Sequence, residues 1–215
     1  MALLLVVGGP FVYFNFVEGK APAKLSLATT PVPAAAAGGT RAPLAGTWKI
    51  ASGSLVRYRV EETLFGQSHT AVGSTSRVSG SMKLTATSLT SASFTVDMTS
   101  ISSGQGQRDG QFQGRIMDTA DFPTATFTTT SPLDLGTVPK DGALKTYSAK
   151  GNLQLHGMTK SVTFTLTARR TGNVIAVQGD EPITFSDYGI NNPSGGPASV
   201  GNSGQLEFVL QFQPS

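Results

Sequence analysis

The stretch LEFVLQF, Leu206 to Phe212, decides the architecture. Leu206, Phe208, Leu210 and Phe212 fall on one side of an extended chain, and Glu207, Val209 and Gln211 on the other. That is the period-two signature of a strand with a buried face. So apolar a strand at a sheet edge would invite aggregation, and it therefore calls for a partner on each side.

The same alternation recurs upstream. Val56, Tyr58 and Val60 alternate with Arg57 and Arg59, and Phe94, Val96 and Met98 with Thr95 and Asp97. Tyr147, Ala149, Gly151, Leu153 and Leu155 share one face, and Val162, Phe164, Leu166 and Ala168 another. Turn clusters such as HGMTK and the long loop YGINNPSGGPASVGNSG separate the runs. The pattern predicts an all-β domain over residues 47–215, a closed antiparallel barrel of about eight strands. A repeat of 20 to 50 residues is missing, so propellers and solenoids are excluded. A barrel of about eight strands either fills its interior with side chains or holds one small ligand, and periodicity leaves both open. Either way, Phe94, Met98, Phe127, Phe164 and Phe208 are expected to face inward.

Composition excludes other classes. Charged residues make up 13% of the 215 residues and the net charge is +3, so the pI near 9.3 reflects sparse charge. Arg169 and Arg170 are the only adjacent basic pair, too little to follow a phosphate backbone, and nucleic acid is not an expected partner. Cysteine is absent, which removes disulfides and thiolate ligands.

The first 17 residues, MALLLVVGGPFVYFNFV, are almost wholly apolar. They fall short of the roughly 20 residues of a spanning helix and carry no basic start. The expectation for 1–17 is an N-terminal membrane anchor truncated before its basic flank, with a cleaved signal-like segment as the alternative. Residues 18–46 are rich in Pro, Ala, Gly and Thr and read as a flexible linker with an end-to-end distance of roughly 25 to 30 Å, enough to let the barrel stand clear of a bilayer.

One passage, RDGQFQGRIMDTADFPTATF from Arg108 to Phe127, breaks the strand pattern. Phe112, Ile116 and Met117 are spaced as on a helix and Pro123 ends the run, predicting a short helical segment near 109–118 that covers one barrel end. Asp109 is expected to cap its first turn and Arg108 to pair with Asp109. A ligand contact by Arg108 is the alternative.

GTWKI (Gly46 to Ile50), VDMTSISSGQGQRDGQF, IMDTADFPTATF, GNLQLHGMTKSVTF and ITFSDYGI, in that order, resemble the YceI-like, polyisoprenoid-binding family from about Gly46 to Phe212. The resemblance implies an extended lipocalin-like barrel with an apolar tunnel for an isoprenoid or fatty chain. It also implies a place outside the cytoplasmic membrane, anchored or secreted. Arg108 and Asp109 take the family's Arg-Asp pair, Met117 and Asp118 its aromatic-Asp, and Phe122 and Pro123 its aromatic-Pro. Where a His-Leu pair usually follows, this chain has Gln111 and Phe112. The implied ligand-binding residues are Phe94, Met98, Arg108, Phe112, Met117, Phe127, Phe164 and Phe208. The ligand would be an isoprenoid, an isoprenoid quinone included, or a similar long-chain lipid, the membrane would be met through the N-terminus, and a homodimer stays open.

Catalytic readings are thin. His69 and His156 lie on or beside turns without Cys or a placed Glu, so a metal or other cofactor is not expected. The chain has no Gly-x-Ser-x-Gly elbow and no Gly-rich phosphate loop. The expected function is carriage or sequestration of a lipid tail without catalysis. An envelope protein of structural or stress-related role, with no dedicated ligand, is the second reading.

Overall fold

The computed structural model describes residues 21–27, 40–195 and 198–215. Strands β1 (Gly46–Ile50) and β2 (Leu55–Leu64) are halves of one bent strand, and so are β3 (Gln67–Thr75) and β4 (Val78–Leu84). After β5 (Ser88–Asp97) come a 3-10 turn (Met98–Ser100) and helix α1 (Gly106–Gln111), which runs into a π-helical turn (Phe112–Ile116). Then follow β6 (Thr124–Thr129), β7 (Leu133–Asp134), β8 (Leu144–Leu155), β9 (Met158–Thr171) and β10 (Val174–Thr184). A second 3-10 turn (Phe185–Tyr188), β11 (Ala198–Val200) and β12 (Ser203–Pro214) complete the chain.

The ring closes through β12. One edge of β12 pairs with β10 from Ser203 to Phe212; the other meets β2 at Gln205 to Val209 and β1 at Phe212 to Pro214. Between those contacts the β1–β2 bend is held by Ala51 N–H to Gln211 O at 2.8 Å and Gln211 N–H to Ser54 Oγ at 2.9 Å. Counting each bent pair as one strand gives a closed, antiparallel, eight-stranded barrel. The predicted class and inward registers agree with it. The helix begins earlier than the sequence suggests, at Gly106, and the long loop before β12 contains β11, which pairs with the end of β2.

Register separates the barrel's two ends. Leu84, Leu89, Trp48 and Phe212 gather at one end, all at or below 8% exposed. Arg170 stacks its guanidinium 5.0 Å over the Trp48 ring, and Trp48 Nε1 donates to Leu44 O at 2.9 Å. The end of β5, α1, the β8–β9 hairpin and the tip of the β2–β3 hairpin lie at the opposite end.

The linker expectation fails over Ala21–Leu27. These residues lie along the outer wall over β2, β10 and β12, with Leu27 only 1% exposed against Val209 and Ala176. Leu25 N–H donates to Glu207 Oε2 at 3.3 Å and Leu27 N–H to Gln178 Oε1 at 2.8 Å. Arg59 and Arg57 donate to the carbonyls of Pro22 (2.7 Å) and Ala23 (3.0 Å). Glu207, fully covered, is held by Arg59 Nε at 2.5 Å. The strap therefore buries Glu207 and Val209 on the outer face of β12. Thr40 and Ala42 are also held, through Asn173 and Arg170. The apolar segment 1–17 lies outside the described residues. Among those described, no helix is long and apolar enough to cross a membrane.

Glycines set where the inner rings lie. A Cβ on Gly179 would stand 2.2 Å from Cζ of Phe208, its cross-strand partner; one on Gly73 would stand 2.4 Å from the Tyr58 ring. Without those methyl groups the rings lie flat on the wall. Gly80 differs: its φ is +138° and a Cβ would meet the Ser93 carbonyl at 2.2 Å. Urea unfolding should show Gly80→Ala losing about 2 to 3 kcal/mol, because backbone cannot retreat. Gly179→Ala should lose under about 1.5 kcal/mol, because the far edge of the Phe208 ring has open space to enter.

Candidate functional site: an apolar cavity with one polar mouth

The barrel is not packed solid. Phe94, Val96, Phe127, Leu166, Leu206 and Tyr58 all point inward, yet each keeps partial exposure, because they face a cavity of about 510 Å³. That lies within the roughly 300 to 1,000 Å³ of ligand pockets. The rings line it in sequence: Phe127 to Phe164 at 4.9 Å, Phe164 to Phe208 at 5.8 Å, and Phe94 to Phe212 at 5.4 Å between centroids. Strand alternation puts them there, since each lies on the inward parity of its strand.

Gln107, Gln111 and Gly195 are the exposed residues of the lining, which locates the mouth between α1 and the loop before β11. Phe112 stacks on Tyr58 at 5.0 Å and 11°, and Met117, 6% exposed, packs behind it. The π turn, with Met117 N–H donating to Phe112 O at 2.9 Å, aims both side chains at the interior. Burial pushes the Tyr58 phenol up to about 12, so its hydroxyl stays protonated inside the mouth.

All eight residues singled out in the sequence border this one cavity: Phe94, Met98, Arg108, Phe112, Met117, Phe127, Phe164 and Phe208. The role expected of Asp109 as a cap needs correction. Arg108 reaches Glu62 Oε1 on β2 at 3.2 Å, and its charge also favours the Asp109 carboxylate. Asp109 makes no cap to α1, whose N-cap is Gln105. Its carboxylate accepts instead from Ser102 Oγ (2.6 Å), Ser103 N–H (2.7 Å) and Ser103 Oγ (2.6 Å), tying the helix to the segment that leads into it. Sequence reading overlooked Tyr58 and Glu62 as site residues. Both continue the Val56–Val60 register by steps of two, so that parity was the available signal.

His156 takes a left-handed turn position (φ 49°), its Nδ1 3.0 Å from Tyr188 O and its ring edge-on to Phe122 at 4.7 Å. It supports the Phe122–Pro123 corner and does not border the cavity. Among the described residues no group of three or more His, Cys, Asp or Glu could hold a metal.

Asp109 yields a pH prediction. Burial opposes its ionisation, but the hydrogen bonds from Ser102 and Ser103, with the Arg108 charge, outweigh it and hold the carboxyl below its ordinary 3.8. A depressed folded value contributes stability above the unfolded one, near pH 4, and loses it as pH falls through the folded one. Amide exchange at Ser103 should stay slow at pH 5 and quicken, relative to the barrel strands, below about pH 4. Asp109→Asn should be fast at both.

Solved structures of other proteins share this fold. A polyisoprenoid binding domain from Saccharophagus degradans, implicated in plant cell wall breakdown, aligns with TM-score 0.63 at 18% identity, over 80% of this chain and 99% of its own. BcnA of Burkholderia cenocepacia gives 0.60 at 22%, over 75% and 98%, and a YCEI protein of Campylobacter jejuni 0.51 at 14%, over 66% and 84%. At such identities these likenesses speak for the fold. None of the curated proteins is similar enough in sequence to count as a match. The sequence pattern of the YceI-like domain, however, matches residues 48–212, from the tryptophan that plugs the closed end to the last inward phenylalanine, and the chain belongs to the YceI-like family.

Proposed function

We propose that this protein carries or sequesters a long-chain isoprenoid, or a similar lipid, in its barrel outside the cytoplasmic membrane, without catalysis. The observation that carries the reading is the shape of the interior: an aromatic-lined cavity plugged at one end and polar at the other. That matches a molecule with a long apolar tail and a small head. The Saccharophagus neighbour, a polyisoprenoid binding domain, supports the same ligand class.

Magnitudes favour a tail over a head group as the source of affinity. Each buried methylene contributes about 0.8 kcal/mol, so a five-carbon isoprene unit adds roughly 3 to 4 kcal/mol before the cost of ordering it. The mouth supplies Tyr58, Arg108 and the glutamines of α1, which can accept a quinone or other polar head by donating hydrogen bonds. An isoprenoid quinone fits this division of labour. The N-terminal apolar segment would tether the barrel to the membrane from which the lipid comes.

Thermal unfolding with and without an isoprenoid quinone tests the reading. Ligand at about 100 times its Kd should stabilise the wild type by about 2.7 kcal/mol. Phe127→Leu, facing the cavity, should cost the empty protein under about 1.5 kcal/mol and change which tail lengths protect it. Phe212→Ala, in the plug, should cost about 3 to 5 kcal/mol. If no tail length stabilises the wild type, and Phe127→Leu is as costly as Phe212→Ala, the interior is packed core and the reading is wrong.

A further inference from the structure

The strap Ala21–Leu27 has a direction. Pro22 is held by Arg59, midway along β2, and Leu27 sits at Gln178, Val209 and Ala176, toward the plugged end. The strap's N-terminal end, at Pro22, is therefore its end nearer the mouth. From Arg59 to the end of β2 at Leu64 is about 17 Å of strand. Three residues separate Val17, the end of the apolar stretch, from Ala21, and the four chain steps between the two span at most about 14 Å.

The mouth end carries a second, independent feature. Phe65, at the tip of the β2–β3 hairpin, is 62% exposed and held at φ 50°, a conformation costly for a bulky residue. Met158, on the β8–β9 hairpin of the same end, is 46% exposed. Charge does not explain the end's partner: Glu61, Asp121 and Asp187 stand exposed there, with Arg115 as an exposed cation.

From these observations we infer that the strap is an orienting device, which turns the cavity mouth toward a lipid bilayer that the Phe65 hairpin tip enters. A tail could then pass between bilayer and cavity through the gap beside α1 without crossing water. Attraction to the bilayer is apolar, so it does not depend on anionic lipid or low salt. This rests on the tethered-carrier reading above and adds an orientation to it.

The absence of native cysteine makes the test direct. The full chain, as Phe65→Cys or as Leu144→Cys at the plugged end, is labelled with an environment-sensitive fluorophore. Each is reconstituted with phosphatidylcholine vesicles containing a lipid-borne spin-label quencher. The probe at 65 should be blue-shifted and quenched several-fold more than the probe at 144, at low and high salt alike. Equal or reversed quenching in protein that floats with the vesicles overturns the orientation and leaves the tether standing. Protein that does not float overturns the tether reading, and the orientation with it. Leu27→Asp, checked for folding by its unfolding midpoint, should float yet lose the contrast between probes. Retained contrast would remove the strap from the explanation. If that variant does not fold, the wild-strap comparison still decides the orientation.

Discussion

Everything else in the molecule depends on β12 having a hydrogen-bonded partner along both edges. A strand that carries Leu206, Phe208, Leu210 and Phe212 on one face is an aggregation site until it is enclosed. Here β10 takes one edge from Ser203 to Phe212, while β2 and β1 divide the other around the bend at 51–54. That division closes the ring. It also brings the Arg57 and Arg59 guanidiniums over Glu207, and so builds the outer surface on which the strap is seated.

Closure alone would permit a packed interior. The cavity survives because large rings stand opposite glycines: Phe208 over Gly179 and Tyr58 over Gly73 spread along the wall instead of meeting at the axis. Side chains with fewer atoms in contact lose dispersion energy, so an empty interior is a stability cost. A bound tail would restore those contacts. Stability lost in the empty state and affinity for an apolar chain are thus two sides of one design. With Trp48 plugging one end and Phe112 stacked on Tyr58 at the other, exchange of such a chain would be confined to the mouth.

How far the sequence could be read depended on which physical signal each part carried. Inward faces were legible because period-two alternation leaves a trace at every residue: Phe94, Val96 and Met98, or Phe164 and Leu166, could be placed without a structure. Glu62 was overlooked although the same parity names it, because a charge is not looked for on an apolar register. The strap left almost no trace. Its hold on Glu207, Gln178, Arg57 and Arg59 runs largely through backbone groups, which any sequence possesses, and its Pro and Ala content reads as linker. In the lid, Asp109 was recognised as a hydrogen-bond acceptor, but which N–H groups it would meet depended on how the segment from Ser102 folds back.

The most direct test of the central claim is native mass spectrometry of the protein released gently from its own host's membranes. The account predicts a one-to-one complex with a single class of long-chain isoprenoid, the same in repeated preparations and displaced by added isoprenoid quinone. Protein recovered empty, or loaded with a fatty mixture that merely follows the expression host, would contradict it.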